Sequence, residues 1–449
     1  MSFPVPEPLS EEDARILALE DGAVRGHTCK VVLLAEPRDV AAIRERVGAR
    51  LDREPRLAVR LQAGEAPAWV PDTAVDLALQ VRDGGPVAAG ELAGAVAELM
   101  AERLPRDRPL WALDAVAVDD GTTALVWRIH HALADGSTAM RMIRRVLLDD
   151  ESAAGGDSAA PARGEGRVAH AGEAAAGPGS AATTPAREAA VSAPATASRL
   201  APLRRALHVP AALHRELTRR GDATVLDATA GERRAVAFVD VPLAEVKRIA
   251  HALPERATVN DVVLAAVAGG LRAWLEGLDA HPAALRVKVP VSLHQPGDEA
   301  GNRDSFIFVD LPLTEDDPVR RLRAVAAETR ERKRDHDAET LDSFFRDLGH
   351  VSSSLERFAE HWAQSPRVFT LNVSNVPGPR GALSVLGAPV AALHSLAEIA
   401  HRHALRVAVV SASGTIGFGL CADADAVGSP EPIAAGVGAE LAALGAALR

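Results

Sequence analysis

Cysteine is scarce in this chain. Cys29 and Cys421 are its only two in 449 residues, and their spacing suits no metal ion. That excludes a disulfide-framed secreted scaffold and fits a reducing compartment. The opening residues, Met1 to Glu7, lack a basic stretch followed by an apolar core, so no signal peptide is expected. No apolar run reaches the roughly 18 residues that cross a bilayer. The longest candidate, Val262 to Leu271, is about half that length, which leaves only peripheral membrane contact. A net charge of −11 and a pI near 5.8 argue against a nucleic-acid partner held by charge. There is no Gly-x-Ser-x-Gly elbow for a serine nucleophile and no Gly-Lys pair for a phosphate loop. Gly417-Phe418-Gly419-Leu420-Cys421-Ala422 spells a dinucleotide fingerprint, but it stands in a strand-like run without a βαβ frame and is discounted.

What is present reads as two α/β lobes around a gap. Hydrophobic residues make up 47% of the chain, enough for sizeable cores. In residues 1–150, Ser10 caps a helix, Lys30 to Ala35 is a buried strand, and Val40 to Leu51 and Glu91 to Leu104 have helical spacing. Leu113 to Val118 and Thr122 to Ile129 follow as strands. A helix after Ser137 turns Met140, Ile143 and Val146 inward and Arg141, Arg144 and Arg145 outward. Residues 222–449 repeat the alternation. Strands are expected at 233–241, 285–291, 305–311, 369–376, 405–412 and 416–421, with helices at 243–252, from Thr258 to about Trp274, at 318–335 and at 339–349.

Between the lobes, residues 151–198 contain no Leu, Ile, Phe, Trp or Met. Such a stretch cannot bury enough surface to offset its ordering entropy, and a disordered Ala/Gly/Pro-rich tether is expected. Residues 199–221 differ. Leu200, Leu203, Leu207, Leu213 and Leu217 recur at helical spacing among six arginines and one acid, Glu216. This basic amphipathic segment suits either an anionic membrane surface or packing on the protein.

The chemistry gathers at His130-His131-Ala132-Leu133-Ala134-Asp135-Gly136, between a strand and a helix. Neighbouring side chains on a strand point to opposite faces, so the two histidines cannot both enter one site unless the chain turns. One should face the site and the other brace it, and they are poor joint ligands for one metal ion; no metal is expected. A neutral imidazole accepts a proton well at pH 7. Asp135 either orients that imidazole or locks the loop, and Gly136 suits a backbone angle that other residues resist.

These residues resemble those of the bacterial wax ester synthase/acyl-CoA:diacylglycerol acyltransferase family, within the CoA-dependent acyltransferase superfamily. The likeness also runs through Pro109-Leu110-Trp111, Arg233-Arg234, Thr258-Val259-Asn260-Asp261, Pro290-Val291-Ser292-Leu293, Gly301-Asn302-Arg303, Asp317-Pro318 and Ser374-Asn375-Val376-Pro377-Gly378-Pro379. It implies two chloramphenicol-acetyltransferase-like lobes with an active-site channel at their interface. It further implies an acyltransferase that moves a long-chain acyl group from acyl-CoA, a co-substrate with no other cofactor, to diacylglycerol or a fatty alcohol. The same-fold alternative takes a carrier-protein thioester or a specialised-metabolite acceptor. His131 would be the general base, with His130, Asp135 and Gly136 completing the motif. Asn260, Asp261, Asn375 and Ser292 would lie near the substrates, with Asn260 or Asn375 donating to the oxyanion. Their competing roles are a helix cap for Asn260, a first-turn acid for Asp261 and a turn residue for Asn375. An arginine pairs with the motif aspartate in the superfamily; here His294 or Arg303 is expected to replace it. With no tyrosine in the chain, Ser411-Ala412-Ser413-Gly414 stands where the family has Ser-Tyr-x-Gly, and Gln80 where a histidine is common. The expected location is cytoplasmic, on the inner face of the plasma membrane or on lipid droplets where it meets lipid.

Overall fold

A computed structural model of the chain describes residues 6–20, 22–64, 67–150, 222–292, 304–334 and 368–449. The first part runs β1 (Glu7–Pro8), α1 (Glu11–Leu19), β2 (His27–Leu34), α2 (Val40–Arg50), β3 (Val59–Gln62), β4 (Ala68–Pro71), α3 (Leu77–Gln80), β5 (Val81–Val87), α4 (Leu92–Ala101), β6 (Trp111–Val118), β7 (Thr123–His130) and α5 (Gly136–Val146). The second runs β8 (Arg234–Pro242), α6 (Leu243–Ala252), α7 (Val259–Gly277), β9 (Ala284–Ser292), β10 (Asp304–Pro312), α8 (Pro318–Arg334) and β11 (Leu371–Pro377). It ends with β12 (Ser384–Val385), β13 (Ala388–Ala397), β14 (Leu405–Ala412), β15 (Thr415–Asp423) and α9 (Glu431–Ala447). The tether, the basic segment 199–221, residues 339–349, His294 and Arg303 lie outside the described residues.

Two six-stranded sheets carry the fold, one per lobe, with strand orders β12-β13-β2-β7-β6-β5 and β10-β9-β11-β14-β15-β8. A small sheet, β1-β4-β3, flanks the first. All eight residues of β7 are buried, as the run TALVWRIH demands of a strand covered on both faces. α5 follows the expected stripe, with Met140, Met142, Ile143 and Val146 inward and its arginines exposed. The Ala/Gly-rich run Val262 to Leu271 is the buried middle of α7. α7 and α9 approach through glycine: a Cβ on Gly270 would stand 2.7 Å from the Ile433 carbonyl and 2.8 Å from the Val437 nitrogen.

The lobes are not the two halves of the chain. β12 and β13 come from the second half, yet β13 pairs antiparallel with β2 and completes the first sheet, Leu393 opposite Val32 and Ser395 opposite Lys30. The boundary near residue 222 therefore divides the sequence but not the sheets. β13 also lies across β14 and β15 of the second sheet. Glycine permits that crossing. A Cβ on Gly417 would stand 2.6 Å from the Leu393 carbonyl, and one on Gly419 would overlap the Ser395 carbonyl. The apparent dinucleotide fingerprint is thus a strand whose glycines admit another backbone.

Replacing Gly419 by Val should destabilise the protein by more than about 3 kcal/mol in urea unfolding, because the obstacle is backbone and cannot rotate away. Gly94→Ala, in the exposed face of α4 with open space around it, should instead raise stability by about 0.5–1 kcal/mol.

Candidate active site

β7 delivers the motif to the edge of the lobe. His27 and His130 are register partners on β2 and β7, and the chain turns immediately afterwards. The His131 amide donates to the Gly26 carbonyl at 2.9 Å, while the Leu133 and Ala134 amides return to the His130 carbonyl at 2.9 and 3.1 Å. That turn lets adjacent histidines serve different ends. Asp135 closes it as the N-cap of α5: its Oδ1 accepts from the Thr138 amide at 2.6 Å and from the Ser137 hydroxyl at 2.9 Å. Of the two roles open to Asp135, the lock on the loop is the one these bonds describe. Gly136 takes no left-handed angle, contrary to expectation. A Cβ there would meet Val376 at 3.6 Å and the Lys30 ammonium at 4.0 Å, so the missing side chain leaves room between the lobes.

His130 is fixed on both sides. Its Nδ1 accepts from the Ala132 amide at 3.1 Å, which puts the ring proton on Nε2. Nε2 faces the Glu20 carboxylate at 3.4 Å, a polar contact rather than a well-aligned hydrogen bond. Glu20 also receives Arg103 at 2.9 Å and Arg106 at 2.5 Å. Burial pushes the Glu20 carboxyl up, but His130 and Arg106 outweigh it and hold it below its ordinary value. Gly26 is required here, with a φ of +70° and a Cβ position only 2.7 Å from His130 Nε2. His27 is wholly buried with neither ring nitrogen partnered, and burial followed by the charges of Arg128, His130 and His131 holds it well below the usual imidazole range.

Of the three clustered histidines His27 and His130 are buried and His131 is half-buried, and the His131 Nε2 has no hydrogen-bond partner. Burial first, then the charges of Arg406, His130 and Lys30, push its pKa down to about 3. The ring is therefore a neutral acceptor across the physiological range. Among the described residues no three His, Cys, Asp or Glu side chains are placed to hold a metal ion. A cavity of about 570 Å³ lies in the same lobe, lined by Leu51, Val59, Pro71, Val75 and Leu77 among others. Neither it nor cavities of about 460 and 170 Å³ include the motif. Unpartnered polar atoms mark the site.

The remaining nominated residues separate. Asn260 is not the cap of α7; Thr258 is, in a capping box with Asp261. Asp261 is occupied, its Oδ2 accepting from the Thr258 amide at 2.7 Å and its Oδ1 from the Thr329 hydroxyl at 2.6 Å. Asn375 is a strand residue of β11 opposite Val409, not a turn residue. Val409 belongs to the core under α7, so Asn375 shares that face, whereas its neighbour Val376 reaches Gly136. Ser292 ends β9 opposite Asp304. Gln80 braces Pro109-Leu110-Trp111, donating to the Pro109 and Trp111 carbonyls at 3.0 and 2.9 Å. Arg234 is buried against Glu398 at 2.7 Å and ties β8 to the end of β13. Glu20, Gly26, Lys30, Asn372 and Arg406 were not nominated. For Lys30 and Arg406 the signal was available: a lone cation inside a strand otherwise built for burial.

Residues 9–263 match the wax ester synthase/diacylglycerol acyltransferase catalytic domain, and residues 300–445 match the C-terminal domain of the same family. The chain belongs to this family. It is an acyltransferase. A provisionally named diacylglycerol O-acyltransferase of Mycobacterium tuberculosis is 31% identical over 380 residues, covering 79% of this chain and 72% of that one. A second from the same organism is 28% identical over 400 residues, covering 83% and 80%. The wax ester synthase/diacylglycerol acyltransferase of Marinobacter aquaeolei shares the fold with a TM-score of 0.70 at 22% identity, over 98% of this chain and 99% of that one. The starter condensation domain of rhizomide synthetase, solved with C8-CoA, shares it at a TM-score of 0.56 and 14% identity, over 99% and 94%.

In this acyltransferase the neutral state of His131 links the site to stability. Its folded pKa is depressed, so the unfolded chain binds the proton first as pH falls below about 6.5, and stability is lost from there down toward about pH 3. His131→Gln should flatten that loss. The fall in melting temperature between pH 7 and pH 5 should be smaller in the variant than in the wild type.

Proposed function

We propose that this acyltransferase carries a long-chain fatty acyl group from acyl-CoA to the hydroxyl of diacylglycerol, of a long-chain fatty alcohol, or of both, with His131 as general base. One observation carries the reading. His130 accepts the Ala132 amide on Nδ1 and sets Nε2 against the Glu20 carboxylate at 3.4 Å, while the adjacent His131 holds a buried Nε2 with no hydrogen-bond partner, within reach of the charge of Arg406 on the second lobe. In the proposed step, Nε2 takes the proton of the acceptor hydroxyl as its oxygen attacks the thioester carbon. The C–S bond then breaks, and the departing sulfur receives that proton from the imidazolium. No acyl-enzyme is formed, in keeping with the missing serine elbow. His130 and Glu20 hold the turn that aims His131, so both are positioning residues.

The acceptor classes come from the names of the relatives and from the family itself. No helix among the described residues is long and apolar enough to cross a membrane. Contact with lipid would therefore be peripheral, at the inner face of the plasma membrane or a lipid droplet, and the basic segment 199–221 is the part of the sequence suited to it.

The test is direct. Purified protein is incubated with palmitoyl-CoA and either diolein or hexadecanol, and free thiol is followed. Acceptor-dependent thiol release with either lipid supports the reading; release only with unrelated acceptors would redirect it to another substrate class. His131→Ala should lower the rate at least about 10²-fold while the protein stays folded by circular dichroism. A variant that keeps more than a tenth of the activity would sink the assignment of the base.

A further inference from the structure

The reading above uses one neutral ring, yet the surface facing it is cationic. Lys288, Asn372 and Arg406 form one row across β9, β11 and β14, Asn372 being the register partner of both others. Their neighbours Val287, Val373 and Val407 pack under α7, so the row faces the opposite way, toward the first lobe. Two of its atoms, Asn372 Oδ1 and Arg406 Nε, are buried with no hydrogen-bond partner, as is Nε2 of His131. The first lobe adds Lys30, only 1% exposed. Its ammonium donates to the Ser395 hydroxyl and stands 4.0 Å from the Cβ position of Gly136.

Two carboxylates lie nearby, and each has a partner of its own. Asp135 is the cap of α5, and Glu398 is bound to Arg234 through Oε1; its Oε2 is unpartnered, its charge also reaches Arg406, and its backbone carbonyl accepts from the Arg406 guanidinium at 3.0 Å. The charges of Lys30 and Arg406 both reach His131 and oppose its protonation. Two cations beside a base that must become an imidazolium hinder it, unless negative charge arrives in the same place in the same step. Acyl transfer supplies that charge: as the acceptor oxygen bonds to the thioester carbon, the carbonyl π pair moves onto oxygen. A buried ammonium and guanidinium, fixed before the reaction, meet this charge without reorganising.

We propose that Lys30 and Arg406 are catalytic residues, a cationic pair drawn one from each lobe that holds the carbonyl oxygen while it carries the negative charge. This rests on acyl transfer with His131 as base. The oxygen's pair returns to carbon as the C–S bond breaks, and the proton on His131 goes to sulfur, so nothing else is consumed. The pair takes the place that Asn260 and Asn375 held as expected oxyanion donors.

The arrangement gives an alkaline limit. Lys30 is pushed down to about 8, by burial first. The charged and titratable groups around it are Asp135 from the motif loop, Arg406 from β14, the neutral His131, and the Cys29 thiol on its own strand; Ser395 of β13 is its hydroxyl neighbour. Its charge is lost as pH rises through about 8, so the pair is intact below that and broken above it.

Initial rates with palmitoyl-CoA and the better of the two lipid acceptors, from pH 6 to 9.5, test the proposal on the full-length protein. Lys30→Met and Arg406→Met should each lower kcat by about 10²- to 10³-fold, with KM for acyl-CoA changed less than about threefold. The wild-type kcat should decline above about pH 8, and Lys30→Arg, which keeps a charge at every pH tested, should remove that decline. A folded Lys30→Met that keeps more than a third of wild-type kcat overturns the proposal. So does an alkaline decline that Lys30→Arg leaves in place, a readout that survives even if the methionine variants fold poorly. A wild type inactive with every acyl-CoA and acceptor removes the acyl-transfer reading and this pair with it; an active wild type with an equally active Lys30→Met removes the pair alone.

Discussion

The passage of β13 through the molecule is the constraint on which the site depends. One strand is hydrogen-bonded into the first sheet along β2 and pressed face-on against β14 and β15 of the second. It brings Lys30, on the strand it pairs with, and Arg406, on a strand it crosses, to the same region. The contact is backbone against glycine at Gly417 and Gly419, which leaves no slack for side chains to absorb. The spacing of β13 against β15 is therefore set by main chain. The Arg234–Glu398 pair, buried at the end of β13, reinforces the same junction.

Within that frame the two histidines differ in their polar contacts. A backbone amide on Nδ1 and a carboxylate facing Nε2 settle the tautomer of His130 and hold its ring in place. His131, one residue on and past the turn, has its nitrogen left over. The surroundings keep it uncharged, first by burial and then by cations. A bare imidazole in that setting is a weak base, so under the proposed mechanism proton transfer and bond formation to the thioester are closely coupled.

Much of this was legible in the sequence, for reasons that can be traced. Strands such as Leu405–Ala412 and the helix Leu243–Ala252 are at the expected residues because their apolar periodicity is unbroken. Ser10 was readable as a cap because its side chain can reach only the first turn after it. β13 was not readable. Ala-Pro-Val-Ala-Ala-Leu-His-Ser-Leu-Ala has little β-propensity, and its pairing partner lies more than 350 residues away. Glu20 escaped notice for a similar reason: a lone acid past the end of a helix is common, and only the fold sets it beside His130. Lys30 and Arg406 could have been found. A cation in a strand buried on both faces must have a reason to be there, and the pattern around them already said the strands were buried. Asn260 and Asn375 were nominated from motif resemblance, which carries residue type but not the face of the sheet or the turn of the helix on which a side chain falls.

The borrowed strand also bears on how the protein is made. A ribosome releases the first lobe's helices and four of its strands, β2, β5, β6 and β7, long before residues 388–397 emerge. Until then β2 is an open edge, apolar and unpaired, of the kind that recruits strands from other chains. The nascent first lobe must wait through the basic segment and the second lobe's first four sheet strands for its missing neighbour. Its synthesis therefore favours conditions that shield that edge, and a product truncated before β13 would be sticky rather than half active.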